Sequence, residues 1–203
     1  MRIFRIVLTA LVFTQLRLVS TCGGVEADVR DISGGKYFDA VHMSFREAVN
    51  SIHVAMYEIR LNPDRKSGPH YRLLQDLVAA QKRGVKVKVY LDRSESTDQD
   101  RGEKIVHDAN SLAYGILKDA GVDVSYVVQT QRLHAKLIVI DERMVVESSA
   151  NWSFSAMTEN AESGTIIVSQ QYAAQKLQWI AALKLQKGTA AQTSSKKPDR
   201  SGR

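Results

Sequence analysis

An imidazole and an ammonium two residues apart on one strand can hold an anion and attack it. The chain carries that pair at His134 and Lys136. The imidazole serves as nucleophile, or as acid and base, near neutral pH. The lysine offers a fixed positive charge and strong donors for an anionic group. Downstream, Ser149 and Asn151 add neutral donors suited to phosphate oxygens. A carboxylate such as Glu162 can hold the imidazole tautomer and stabilise its charged form. As a set these residues describe phosphoryl transfer without a metal, through a covalent phosphohistidine. Taken singly they describe less. A His and a Lys on a strand face are commonly surface or core residues, and residues 148–151 have the composition of a loop or a helix cap.

The elements that must position this set read as follows. Residues 134–140, HAKLIVI, alternate with period two and form a strand. His134, Lys136, Ile138 and Ile140 fall on one face, and Ala135, Leu137, Val139 and Asp141 on the other. Asp141 opens a turn before a second strand over 144–147. Upstream, 42–50 is helical and 51–59 is a strand. An amphipathic helix over 71–83 is ended by Gly84, and 85–91 alternates as a strand. The turn-rich loop 61–70 has Arg60, Arg65 and Lys66 near it, either facing a polyanion or simply solvated. The charged stretch 92–104 reads as a mobile loop near the strand ends, where a substrate groove can lie. Residues 105–119 are helical in their second half, and 122–128 form a strand. A helical turn over 155–161, a strand over 165–169 and a helix over 171–185 close the series. The last carries an apolar stripe of Tyr172, Leu177, Trp179, Ile180 and Leu183. This succession argues an α/β fold, with helices covering a central sheet.

Length and composition bound the rest. A chain of 203 residues, 44% of them hydrophobic, suits one domain with short appendages. The formal charge is +6, but +3 of it sits in residues 1–20 and +5 in residues 184–203, leaving −2 for the body. Nucleic-acid affinity then rests on a local patch or on the tail. The single cysteine, Cys22, excludes an internal disulfide framework. Residues 1–22 have basic residues near the start and an apolar run, in the manner of a secretory or lipoprotein leader, with Cys22 where an acylated cysteine would fall. The expected order is leader 1–22, linker 23–36, catalytic domain 37–187 and disordered basic tail 188–203. The expected location is exported, periplasmic or secreted, with membrane association through the N-terminus or an acylated Cys22. The alternative is a buried N-terminal strand with a free thiol. No Gly-rich nucleotide loop or cysteine-rich metal set is present, so no cofactor is expected.

His134, Lys136 and Asp141 keep the spacing His-x-Lys-x4-Asp, followed by Ser149-x-Asn151 and Asn160-x-Glu162. This resembles the signature of the phospholipase D superfamily. The resemblance implies a phospholipase D-like fold with a central mixed β-sheet flanked by helices. It implies that His134 carries the covalent phosphoryl group and that Lys136 and Asn151 bind the phosphate. Ser149 and Glu162 would support them, with Asp141 structural. The family's usual glycine before the serine is Ser148 here, which would be strained if that position needed a positive φ. Only one copy of the signature is present, since His42, His53, His70 and His107 lack a lysine two residues on. One group must attack phosphorus and another must protonate the departing oxygen. A homodimer with a shared active site supplies both. The expected function is a metal-independent phosphodiesterase, foremost an endonuclease on DNA or RNA. A phospholipase D on phosphatidyl lipids and a non-catalytic nucleic-acid or lipid-binding protein are the alternatives.

Overall fold

The alternation in Lys136–Ile140 divides two cores. Ile138 and Ile140 enter one buried cluster, while Leu137 and Val139 enter the other, on the opposite face of the sheet. The computed structural model describes residues 24–64, 66–97 and 104–186. Its main sheet has seven strands, in the order β1-β9-β8-β7-β2-β3-β6. These are β1 (Asp28–Asp31), β2 (Ser51–Met56), β3 (Lys86–Leu91), β6 (Asp123–Tyr126), β7 (Lys136–Ile140), β8 (Met144–Ser148) and β9 (Gly164–Val168). Strands β2, β3 and β6 run parallel, whereas β7, β8, β9 and β1 are antiparallel to their neighbours. The sheet is mixed, as the family resemblance implied.

Helices α1 (Lys36–Glu47), α2 (Pro69–Lys82) and α3 (Ser111–Asp119) contribute to the larger core. In α1, Tyr37, Val41, Ser44 and Phe45 recur at helical spacing and are buried. Pro69 occupies the first turn of α2, where its missing N–H costs nothing. That helix stops at Arg83, and Gly84 follows at φ +93°, as expected of a glycine terminator. Helix α5 (Gln170–Ala181) covers the other face, packing on β7, β8 and β9. Ser169 caps it by accepting from the Tyr172 backbone N–H.

The structure departs from the sequence reading at three places. The first ladder residue of β7 is Lys136, so His134 sits just ahead of the strand, although the Ala135 carbonyl still accepts from Tyr57 N–H at 2.8 Å. Within the stretch read as a linker, Asp28–Asp31 pair with β9 as an edge strand. All four residues are exposed, so no burial pattern marked them. Within the stretch read as a mobile loop, β4 (Ser94–Thr97) pairs with β5 (Lys104–His107) as a small antiparallel ladder. The expected leader and basic tail lie outside the described residues.

Candidate active site

The turn from β7 to β8 sets the register of the site. Asp141 and Glu142 adopt left-handed conformations at φ 50° and 55°, which the short side chain of Asp tolerates better than most. The Asp141 carboxylate reaches back to accept from the backbone N–H groups of Val49, Asn50 and Ser51, the last two at 2.7 and 3.0 Å. It thereby ties the turn to the start of β2. Burial raises its pKa, but these three hydrogen bonds outweigh that and hold it below the usual carboxylate value.

At the other end of β7, the chain enters the site through a buried polar buttress. Asp92 Oδ1 accepts from Leu133 N–H at 2.7 Å. Asn110 accepts from Ile59 N–H and donates to the carbonyls of Tyr57 and Asp92, at 2.7, 2.9 and 2.7 Å. Both side chains are almost fully buried, so each unmet group would be costly. One asparagine thus fixes the segment after β2 and, through Asp92, the approach to His134.

His134 and Lys136 do meet. Lys136 Nζ lies 3.4 Å from His134 Nε2 and donates to the His134 carbonyl at 3.1 Å. The Tyr57 ring sits against both, 4.7 Å from the imidazole centroid and 5.0 Å from the ammonium. Burial pulls the Lys136 pKa below its ordinary value, and the charges of Glu162 and Glu58 only partly oppose this. Those two carboxylates therefore act on the same ammonium from two different loops.

The loop after β8 is held on both sides. Trp152 is fully buried and donates through Nε1 to the Tyr37 hydroxyl at 3.1 Å. Its backbone pairs with the segment after β2, Trp152 N–H to Glu58 carbonyl and Arg60 N–H to Trp152 carbonyl, both at 2.9 Å. This places Asn151 beside Glu58, with Nδ2 3.4 Å from Glu58 Oε2. The buried Asn151 Oδ1 has no hydrogen-bond partner among the described residues. Arg60 donates to Glu58 Oε1 through Nε and Nη2, at 2.9 and 2.5 Å, and so offsets that carboxylate's charge.

On the other side of the loop, Ser149 Oγ donates to Glu162 Oε2. It also accepts from Ser163 N–H at 3.0 Å. Asn160 donates to Glu162 Oε1 at 3.0 Å. Glu162 is thus bound by Ser149 and Asn160 in this structure, and not by the imidazole it was expected to orient. Ser148, standing where the family has glycine, ends β8 without a positive φ, so the anticipated strain does not arise. Its hydroxyl donates to the Ser163 carbonyl and accepts from Ala150 N–H.

His134 and Lys136 open onto a cavity of ≈ 420 Å³ beneath α5, lined also by Glu147, Tyr172, Lys176 and Trp179. There Glu147 accepts from Lys176 at 2.6 Å and from the Tyr172 hydroxyl at 2.9 Å. Among the described residues, no three His, Cys, Asp or Glu side chains are grouped as metal ligands.

Residues 43–184 match the family model described as "Cardiolipin synthase, PLD-like domain". The chain is a member of the phospholipase D superfamily. A phospholipase D from Rickettsia typhi is 35% identical over 102 residues, which are 50% of this chain and 45% of that protein. The chain thus spans less than half the length of that relative. Among solved structures, the phospholipase D family member Nuc from Salmonella typhimurium superposes with a TM-score of 0.60 at 23% identity. That match covers 80% of this chain and 100% of Nuc. NucT from Helicobacter pylori gives a TM-score of 0.57 at 15% identity, over 78% of this chain and 96% of NucT. These structural likenesses bear on the fold, which is the phospholipase D-like one the signature implied.

The sequence reading missed Glu58 and Tyr57 as site residues. Neither carries a local signal, because their roles come from the pairing of the segment after β2 with Trp152 and Ala135. Asp92 and Asn110 were hidden inside polar stretches.

Proposed function

We propose that the protein is a phosphodiesterase that works without a metal, and that its substrate is nucleic acid, cleaved internally. The observation that carries this reading is the His134–Lys136 pair, 3.4 Å apart, with the charges of Glu162 and of Glu58, which Asn151 Nδ2 meets at 3.4 Å, both acting on Lys136. Nε2 is the ring nitrogen that faces the ammonium. A phosphate oxygen held by Lys136 and Asn151 presents phosphorus to Nε2. Attack forms an N–P bond and breaks the P–O bond to the leaving strand, which takes a proton from a second imidazole. That imidazole then draws a proton from water, whose oxygen displaces His134 and restores it.

The second imidazole is that of His134 in a partner copy, so the working unit is a homodimer with a shared site. Four positive or donor groups around one phosphate supply the charge stabilisation a divalent ion gives elsewhere. Ser149 and Glu162 hold the loop that carries Asn151, and Asp141 holds the turn. The near-complete coverage of Nuc and NucT supports a small single-motif nuclease over a longer lipase. A second reading, hydrolysis of phosphatidyl lipids, is favoured by the 35% identity to the Rickettsia phospholipase D. Export, with anchoring at Cys22, remains part of the proposal. No helix among the described residues is long and apolar enough to cross a membrane.

The test uses protein lacking residues 1–22, with His134→Ala as control, in EDTA. Labelled single- and double-stranded nucleic acids are incubated in parallel with phosphatidylcholine vesicles. Cleavage of nucleic acid that depends on His134 is expected. Choline release without such cleavage would move the protein to the lipase reading. Light scattering showing an active monomer would contradict the shared site.

A further inference from the structure

We propose that the cavity beneath α5 is the subsite for the nucleotide next to the scissile phosphate, with its base lying on the Trp179 indole. The proposal rests on the nuclease reading and names the groups that take the strand beside His134 and Lys136. The cavity measures ≈ 420 Å³, within the range of about 300–1,000 Å³ usual for small-ligand sites. His134 and Lys136 are part of its lining, so an occupant lies against the phosphate they would hold. By contrast, the cavity beside helix α4 (Phe154–Thr158) has neither residue in its lining.

The wall opposite the strand is one face of a helix. Tyr172, Gln175, Lys176 and Trp179 recur at i, i+3, i+4 and i+7 along α5, and all four line the cavity. The apolar stripe expected on this stretch is thereby split. Ile180 and Leu183 are buried, with Tyr172 and Leu177 packed against the same core, whereas Trp179 is 45% exposed. Core packing therefore does not account for the indole. A large aromatic side chain that lines a cavity and is still reachable from solvent gives a flat face on which a base stacks.

Charge selects the occupant. Among the described residues that line the cavity, the one carboxylate is Glu147. It accepts from Lys176 at 2.6 Å and from the Tyr172 hydroxyl at 2.9 Å. Lys176 Nζ also lies 5.0 Å from the centroid of the Tyr172 ring. An acid beside a ring is what a quaternary ammonium headgroup would need, and the chain's own ammonium already occupies both. Burial lowers the Lys176 pKa, but the bonds to Glu147 outweigh this and hold it above its ordinary value, so the group stays a cation. With Glu147 taken up by Lys176, the charge of Lys136 favours an anionic chain. The exposed indole favours an uncharged base. A base stacked within a duplex offers neither face, so the subsite selects single strands.

The test measures kcat/KM on labelled strands of equal length, oligothymidylate and oligouridylate, each against the same backbone with abasic sugars. The proteins are the intact chain, Trp179→Ala and Trp179→Phe. The intact protein is expected to prefer the strands that carry bases by about tenfold or more. Trp179→Ala lowers that preference by about tenfold, and Trp179→Phe restores most of it. Each ratio is taken within one protein, so any loss of folded fraction cancels. A preference that Trp179→Ala leaves unchanged, or that the intact protein lacks, overturns the subsite and leaves the nuclease reading standing. So does a Trp179→Ala protein that light scattering shows as a monomer where the parent is a dimer, because the indole then belongs to the contact between copies. Cleavage of no strand by the intact protein overturns both, and headgroup release from phosphatidylcholine vesicles would then give the cavity to lipid.

Discussion

The two halves of the active site are built differently. In the half formed by Ser148, Ser149, Asn160 and Glu162, the polar side chains find partners within the chain. In the half formed by His134, Lys136 and Asn151 they are only partly met, with Asn151 Nδ2 3.4 Å from Glu58 Oε2. The ammonium meets a ring nitrogen, a carbonyl and an aromatic face, and among the described residues no carboxylate accepts its protons directly. Its pKa is pulled down by burial, and the Asn151 Oδ1 is buried without a partner among the described residues. One half is a finished scaffold. The other holds its ammonium at some cost in self-energy, which an incoming anion would relieve at Lys136. Such preorganised, under-satisfied charge is what the phosphate of the proposed substrate would meet.

The largest effect should come from the under-satisfied half. His134→Ala is expected to lower kcat on the order of 10⁴-fold or more, with unchanged circular dichroism. If activity stays within tenfold of the parent, the comparison collapses, because the imidazole would be only part of the surface. Lys136→Met removes the charge but keeps the stem. A fall in kcat/KM of roughly 10²-fold or more is expected from steady-state kinetics.

The pH profile then probes the coupling between the halves. The Lys136 contribution to phosphate binding is present below its pKa and lost as pH rises through it. Since that pKa lies below the ordinary 10.5, KM should begin to climb at lower pH than an ordinary lysine would give. Glu162→Gln removes a charge that favours the ammonium, so the alkaline limb should move to still lower pH. An unmoved limb would mean that the two halves do not communicate through Lys136.

The smallest effect belongs to the scaffold. Asp141→Ala should cost about 1–2 kcal/mol in urea unfolding, from three backbone donors left without their charged acceptor. The folded pKa of Asp141 is depressed, so its stabilisation is full above the ordinary value of 3.8 and disappears as pH falls through the lowered one. The parent should therefore lose stability in that acid window, and Asp141→Asn should lose less across it.

How much of this was legible in the sequence differs between the same regions. The β7 alternation and the His134, Lys136, Ser149, Asn151 and Glu162 spacing are local, so they could be read along the chain. The two-residue error at the start of β7 arose because alternation extends ahead of the first ladder pair. Glu58, Tyr57, Asp92 and Asn110 could not be read in this way. They act through pairings between segments distant in sequence, such as Asn110 with Ile59 and Asp92 with Leu133. Exposed β1 lacks the hydrophobic contrast on which strand recognition depends. Glu162 was singled out for the imidazole, yet its partners are Ser149 and Asn160, because spacing alone does not tell which neighbour a carboxylate will choose.

The most direct measurement is to trap the intermediate. The protein would be mixed with a nucleic-acid substrate in EDTA, quenched at alkaline pH to preserve the phosphoramidate bond, and digested for peptide mass spectrometry. The account predicts a phosphoryl adduct on His134 that forms during turnover and disappears as the substrate is consumed. Turnover with no adduct on His134, or with the adduct on another residue, would contradict it.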